Sequence, residues 1–330
     1  MTATSGRVTA RDVARAAGVS QATVSYVIND NPNQKISEET RTRVLQAVRD
    51  LGYTPSAAAR ALRKGSSQVV LLILPDVRIG HAVSELIEWL EIELRAENLG
   101  LVTRRAAPGG PVTALWREVM PTAVVSLLPI DEREGEEIRS AGIFLAQSLL
   151  APRSDSTTLS VPQQLVGRLQ VEHLASRGHR RLGYARPDNP RVEQFLRLRL
   201  EGARMACVEL GLDLPDVRTV PPDAAAAQEA ALAWQGSSVT AACAYNDETA
   251  FVLLAGMRRA GLRAPSDIAV IGVDNISLAP FADPPLTTID QNLDIVAKHL
   301  AKLVAAGIAG APLPRMPRSE SLTLVVRESA

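Results

Sequence analysis

Over the first fifty residues apolar positions recur at helical spacing; from Val69 onward they gather into short continuous runs between longer amphipathic stretches. In the first region Val13, Ala14 and Ala17 fall on one face of a helix. Val24, Val27 and Ile28 repeat the pattern in a second, and Val44, Ala47, Val48 and Leu51 in a third. Thr9 and Asp12 stand at capping-box spacing, Ser20 and Ser37 suit N-caps, and Gly18 and Gly52 stop their helices. Three short helices are predicted, the second running to about Asn29. The third opens on Glu38 and Glu39, which favour the positive end of the helix dipole.

After "YTP", the alanine-rich "SAAARALRKGSS" predicts a helical segment running into a Gly/Ser linker, with a boundary near Gly65–Gln68. Beyond it, strands are predicted at 69–74, 100–104, 122–128, 143–147, 181–185, 217–220, 239–244, 267–272 and 321–327, with helices between them. Such alternation predicts doubly wound parallel sheets. About 260 residues with nine strands exceed what one five-stranded sheet needs. Two similar lobes facing a cleft are expected, and such clefts take small molecules at strand C-termini.

Charge adds a second division. The chain is net neutral, yet residues 1–67 hold ten Lys/Arg against five Asp/Glu, and the rest hold 26 against 31. A small basic head on an acidic body suits a nucleic-acid-binding module joined to something else. The N-terminus has no apolar signal-peptide core, and the longest apolar run, "VVLLIL", is too short to span a bilayer. A cytoplasmic protein with no membrane contact is therefore expected. Cys207 and Cys243 suggest neither a disulfide framework nor a zinc site. No G-x-S-x-G, P-loop, G-x-G-x-x-G or H-E-x-x-H occurs, and His81, His173, His179 and His299 are scattered. The chain is expected to be no enzyme and to use no metal or cofactor.

Ala14, Gly18 and Val24 together have the chemistry of two helices crossing over a tight turn: a small contact residue, a turn glycine and a β-branched anchor. The second helix would enter the major groove of DNA by its N-terminal end. Its outward residues, Ser20, Gln21, Ala22, Ser25, Tyr26 and Asn29, include no acid to repel phosphate.

Longer stretches carry a specific resemblance. "VTARDVARAAGVSQATVSYVIND" followed by "ISEETRTRVLQAVRDLGYTPSAAARALRKG" resembles the DNA-binding head of the LacI/GalR family of bacterial transcription regulators. "HLASRGHRRLGY", "AACAYNDETAFVLLAGMRRAGLRAPSDIAVIGVDN", "DPPLTTIDQ" and "LVVRES" resemble that family's effector-binding core. The resemblance implies an all-α helix-turn-helix head plus an α/β two-lobed, periplasmic-binding-protein-like core. It implies a head at 1–55, a hinge helix and linker at 56–67, and an effector-binding and dimerisation core at 68–330. The N-subdomain would take about 68–161 and 292–318, and the C-subdomain about 162–291 and 319–330.

The implied function is a repressor that binds double-stranded, near-palindromic operator DNA as a homodimer and answers to a small-molecule effector, a carbohydrate or derivative among the candidates. By the same resemblance Gln21 and Ala22 read base edges, while Ser20, Thr23, Ser25 and Asn29 grip phosphates. Leu62, with Ala59 beside it, matches the hinge residue that wedges into a minor-groove step, although packing against the core also fits it. Tyr26 departs from the arginine common there, so the half-site preference should differ.

In the core, Arg199 matches the arginine that clamps effector hydroxyls or carboxylates, and Asn246 and Asp274 match polar cleft residues. Asn246 also fits a helix N-cap, and Asp274 a turn acid. "PDVRIGHAV", "PDAAAAQ" and "LSVPQQLVGR" depart from the family at pocket positions, and aromatics are only 3% of the chain, so an altered site rather than a standard sugar pocket is expected. A periplasmic-type solute-binding protein shares the two-lobed body, but the basic head and the missing signal peptide argue against it. A sugar-processing enzyme lacks its acid/base pair.

Overall fold

The computed structural model describes residues 8–28, 34–54, 67–76, 80–106, 113–149, 157–160, 163–315 and 322–330. Asn29, Ala59 and Leu62 lie outside them. The chain divides into two units, 1–67 and 68–330.

The first unit contains α1 (Ala10–Ala17), α2 (Gln21–Ile28) and α3 (Glu38–Asp50). Asp12 Oδ2 accepts from the Thr9 backbone N–H at 3.0 Å and from its hydroxyl at 2.6 Å, which fixes the start of α1. At the other end Gly18 takes φ 65°, a left-handed conformation that costs any residue with a Cβ. Its N–H donates to Arg15 O, and the Val19 N–H donates to Ala14 O at 3.0 Å. Two stranded carbonyls are thus satisfied as the chain turns into α2. Val13, Val24 and Val44 are wholly buried at the centre, with Ala14, Ala17, Val27 and Ala47 around them. Leu51, predicted inward, is exposed instead. The left-handed Gly52 turns the chain after α3, so Tyr53 covers the core where Leu51 was expected.

The second unit has two parallel sheets. In the N-lobe, β1 (Val69–Leu74), β2 (Gly100–Arg105), β3 (Ala123–Ser126), β4 (Phe144–Leu149) and β5 (Thr158–Ser160) lie in the order β2-β1-β3-β4-β5. Helices α4 (His81–Ala96), α5 (Thr113–Val119) and α6 (Glu132–Ser140) connect them. Strand β1 is buried on both faces, as a central parallel strand should be. Val70, Leu72 and Leu74 pack with Leu86, Leu90 and Leu94 of α4, while Leu71 and Ile73 pack with Trp116 and Ile138.

The C-lobe repeats the scheme with β6 (Leu182–Arg186), β7 (Asp216–Thr219), β8 (Ala241–Ala244) and β9 (Ala269–Ile271), ordered β7-β6-β8-β9. Helices α7 (Gln163–Ser176) and α8 (Glu193–Glu209) cover one face, and α9 (Ala224–Gly236) and α10 (Asp247–Arg259) the other. Strands β10 (Thr288–Asp290) and β11 (Thr323–Val325) form an antiparallel pair, and α11 (Leu293–Ala309), between them in the chain, packs in the N-lobe. Strands β5 and β10 were not predicted. Each holds one apolar residue between two polar ones, so no apolar run marks it.

Candidate functional site

The N-terminal end of α2 is organised by its cap. Ser20 Oγ accepts from the Thr23 N–H at 3.1 Å, and the two hydroxyls hydrogen-bond to each other at 2.9 Å. With Val24 and Val27 turned into the core, Gln21 and Ala22 are exposed, and Thr23, Ser25 and Tyr26 are half-buried. A helix set on a hydrophobic face thus presents an amide, a methyl and hydroxyls with no carboxylate on α2. That is the chemistry needed to approach phosphates and base edges. Ser20 and Thr23 each serve the helix start as well as standing at its outer rim.

The second cluster lies at the C-terminal ends of β8 and β9. It is positioned by a close helix crossing: a Cβ on Gly167 would stand 1.8 Å from the Arg199 carbonyl oxygen, and one on Gly202 1.8 Å from the Gln164 carbonyl oxygen. These two glycines let α7 and α8 meet backbone to backbone. Arg199 is thereby delivered beside the first residues of α7 with its side chain 4% exposed. Its Nε donates to Gln163 Oε1 at 2.7 Å and its Nη1 to the Tyr245 carbonyl at 2.6 Å. The guanidinium also lies over the Tyr245 ring, 4.7 Å from its centroid, a cation–π contact.

Asp274 stands 3.9 Å from Arg199 Nη2 and accepts from Gln291 Nε2 at 2.6 Å. Burial pushes its carboxyl up to about 6, against the lowering pull of Arg199, Gln291 and, from the N-lobe, His81. Its φ of 103° makes it a turn residue. Asn246 caps α10: its Oδ1 accepts from the Thr249 N–H at 3.0 Å and hydroxyl at 2.7 Å. Arg197 faces solvent.

Arg199 and Asp274, predicted from sequence, are thus brought together, and Asn246 stands at the end of the neighbouring strand. Gln163, Gln291 and Tyr245 were not singled out, although they lay in the quoted "LSVPQQLVGR", "DPPLTTIDQ" and "AACAYNDETAFVLLAGMRRAGLRAPSDIAVIGVDN". Their only sequence signal is position: each glutamine sits where the chain passes between lobes. Beneath the cluster, Asp247 accepts from the Thr288 hydroxyl at 2.6 Å and the Ile276 N–H at 2.9 Å, and burial pushes its carboxyl up to about 7. Among the described residues no His/Cys/Asp/Glu group could hold a metal ion, and no helix is long and apolar enough to cross a membrane.

Residues 9–56 match the family described as bacterial regulatory proteins, lacI family, and residues 171–330 match a periplasmic binding protein-like domain. The transcriptional regulator GalR of Escherichia coli K12 is 29% identical, over 97% of this chain and 95% of its own length. The transcriptional repressor CytR of the same strain is 28% identical, over 97% and 96%. A crystal structure of the Lac repressor dimer bound to operator and the anti-inducer ONPF superposes with a TM-score of 0.78 at 23% identity, covering 98% of this chain and 99% of that one. A LacI-family regulator from Silicibacter pomeroyi gives 0.79 at 22%, with coverage of 98% and 99%.

Proposed function

The chain belongs to the LacI/GalR family of DNA-binding transcriptional regulators, and from that premise we propose that it is a repressor acting as a homodimer on a near-palindromic operator under control of a small-molecule effector. The observation that carries this is the acid-free outer face of a capped α2, with Gln21 and Ala22 exposed at its N-terminal end. Gln21 and Ala22 read base edges in the major groove, Ser20, Thr23, Ser25 and Asn29 hold phosphates, and Tyr26 sets a half-site preference of its own. The hinge segment 56–67 places Leu62, with Ala59, at the central minor-groove step, a role supported by the resemblance of that segment.

The lobe division, about 68–161 with 292–318 and 162–291 with 319–330, follows the crossovers beside β5, β10 and β11. Exposed apolar side chains supply a surface for a second copy: Leu278 and Phe281 in the C-lobe, Trp89 and Ile92 on α4. The effector reading rests on Arg199, Asn246 and Asp274 gathered at strand C-termini, where such folds take ligands. The opposed charges of Arg199 and Asp274 suit a ligand without net charge, a carbohydrate or derivative among them. A ligand that favours one lobe arrangement shifts the population that holds DNA. Footprinting on the native upstream region is the test: a symmetric protected site is expected, and protection that never becomes symmetric across a range of salt refutes the reading.

A further inference from the structure

Helix α8 buries an inner face that includes Leu196, Gly202, Ala203 and Ala206, and turns its other side to solvent. A surface helix is expected to be polar there. Instead Met205 and Val208 are 47% and 68% exposed, Leu214 just beyond the helix is 59% exposed, and Leu200 is half-buried. All four line a concavity of about 760 Å³ along the outer side of α8. Exposed apolar side chains scattered singly need no explanation, but a set gathered in one concavity with a charged rim marks an association surface.

The rim carries a second observation. At the two ends of the helix the acids are already engaged: Glu193 accepts from Arg186 at 3.2 Å, and Glu209 from Arg168. Between them Arg197, Glu201 and Arg204 are exposed, and their side chains make no ion pair or hydrogen bond among the described residues. By helical spacing Arg197, Glu201, Arg204 and Val208 form one ridge down the middle of the outer side, with Leu200 on one flank and Met205 on the other.

We propose that this side of α8 pairs with the same side of α8 in a second copy of the chain, antiparallel, about a two-fold axis midway between Glu201 and Arg204. In such a contact each pair of residues occurs twice. The axis sets Glu201 against Arg204 of the second copy, and Arg204 against the other Glu201. It also lays Leu200 on the other Met205, twice, and runs the aliphatic stem of Arg197 along the other Val208. No charge is set directly against a like one. A parallel pairing would oppose Glu201 to Glu201 and Arg204 to Arg204, which repel. The self-complementary order of charges is what favours a second copy over an unlike protein. The surface is separate from Leu278, Phe281, Trp89 and Ile92, so with both in use the chain assembles beyond dimers.

The test is sedimentation velocity on the full chain over a concentration series. The parent is expected to show a concentration-dependent rise in mass. Glu201→Arg and Arg204→Glu, both at exposed positions, should each weaken that step about tenfold, because each replaces two opposite-charge contacts with two like-charge ones. An equal mixture of the two variants should regain the parent's association, since one chain then carries arginine at both positions and the other glutamate at both. The doubly swapped chain should regain it alone. A parent with no step that the swaps weaken overturns the proposal and leaves the surface to an unlike partner. So does a step that either single variant leaves unchanged, or a mixture that stays as weak as each variant alone. Pairing through Leu278 and Phe281 does not use these charges, so its failure and the failure of α8 pairing are read separately.

Discussion

On α2 the residues proposed to read bases, Gln21 and Ala22, stand in solvent, whereas Arg199, Asn246 and Asp274, proposed to meet an effector, each already have a protein partner. The two surfaces face different constraints. A reading helix must keep Gln21 and Ala22 exposed to meet DNA, so its stability comes from the opposite face, Val24 and Val27 on Val13 and Val44, and from the Ser20 cap. A cleft that buries a cation and an anion must satisfy them internally, because an unpaired charge there is costly. At Gln21 and Ala22 the proposed reading is therefore separable from stability, while at Ser20 and Thr23 and in the Arg199–Asp274 cluster the two are joined.

The largest effect that could break this contrast comes from Arg199→Ala. It leaves Gln163 Oε1 and Asp274 buried with one partner fewer, and a loss of about 3 kcal/mol of core stability is expected by denaturant unfolding. Unfolding curves that overlay would show that the cleft charges carry no structural weight. Gly167→Ala comes next. A methyl 1.8 Å from the Arg199 carbonyl must push α7 and α8 apart, for a loss of about 2 kcal/mol. It is also expected to weaken protection of α7 amides in hydrogen exchange while leaving α2 unchanged; equal loss in both units would remove the distinction.

Asp247→Asn sharpens the comparison through pH. The folded carboxyl, pushed up to about 7 from an ordinary 3.8, holds its proton where the unfolded chain has lost it. Its contribution to stability therefore falls as pH rises from about 4 to about 7 and then levels off. The variant lacks that fall, so its stability relative to the parent should rise steadily across this window. Urea melts in a pH series check it, and parallel curves would refute it. The smallest effect on stability is expected from Tyr26→Arg, within about 0.5 kcal/mol, with a changed base at one or two symmetric operator positions in site selection. An unchanged selected profile would remove Tyr26 from base reading.

Much of the head was legible because its determinants are local. The Thr9–Asp12 box, the left-handed Gly18 and the Ser20 and Ser37 caps each act within a few residues, and each has a recognisable spacing. Leu51 misled because helical spacing alone does not reveal that a left-handed Gly52 hands its place to Tyr53. In the core, long buried strands such as β1 announced themselves, while the three-residue β5 and β10 did not. Arg199, Asn246 and Asp274 were read through resemblance, and periodicity would not have marked them.

The sequence by itself determined the helix starts of the head and the alternation of strands and helices, which are written in short-range patterns. Tertiary structure alone decided that Gln163 meets Gln291 across 128 positions, that Arg199 is held by both α7 and Tyr245, and that Asp274 titrates well above an ordinary aspartate. Those outcomes depend on burial and on which chain crossings come together in space. Neither is encoded in the spacing of any one segment.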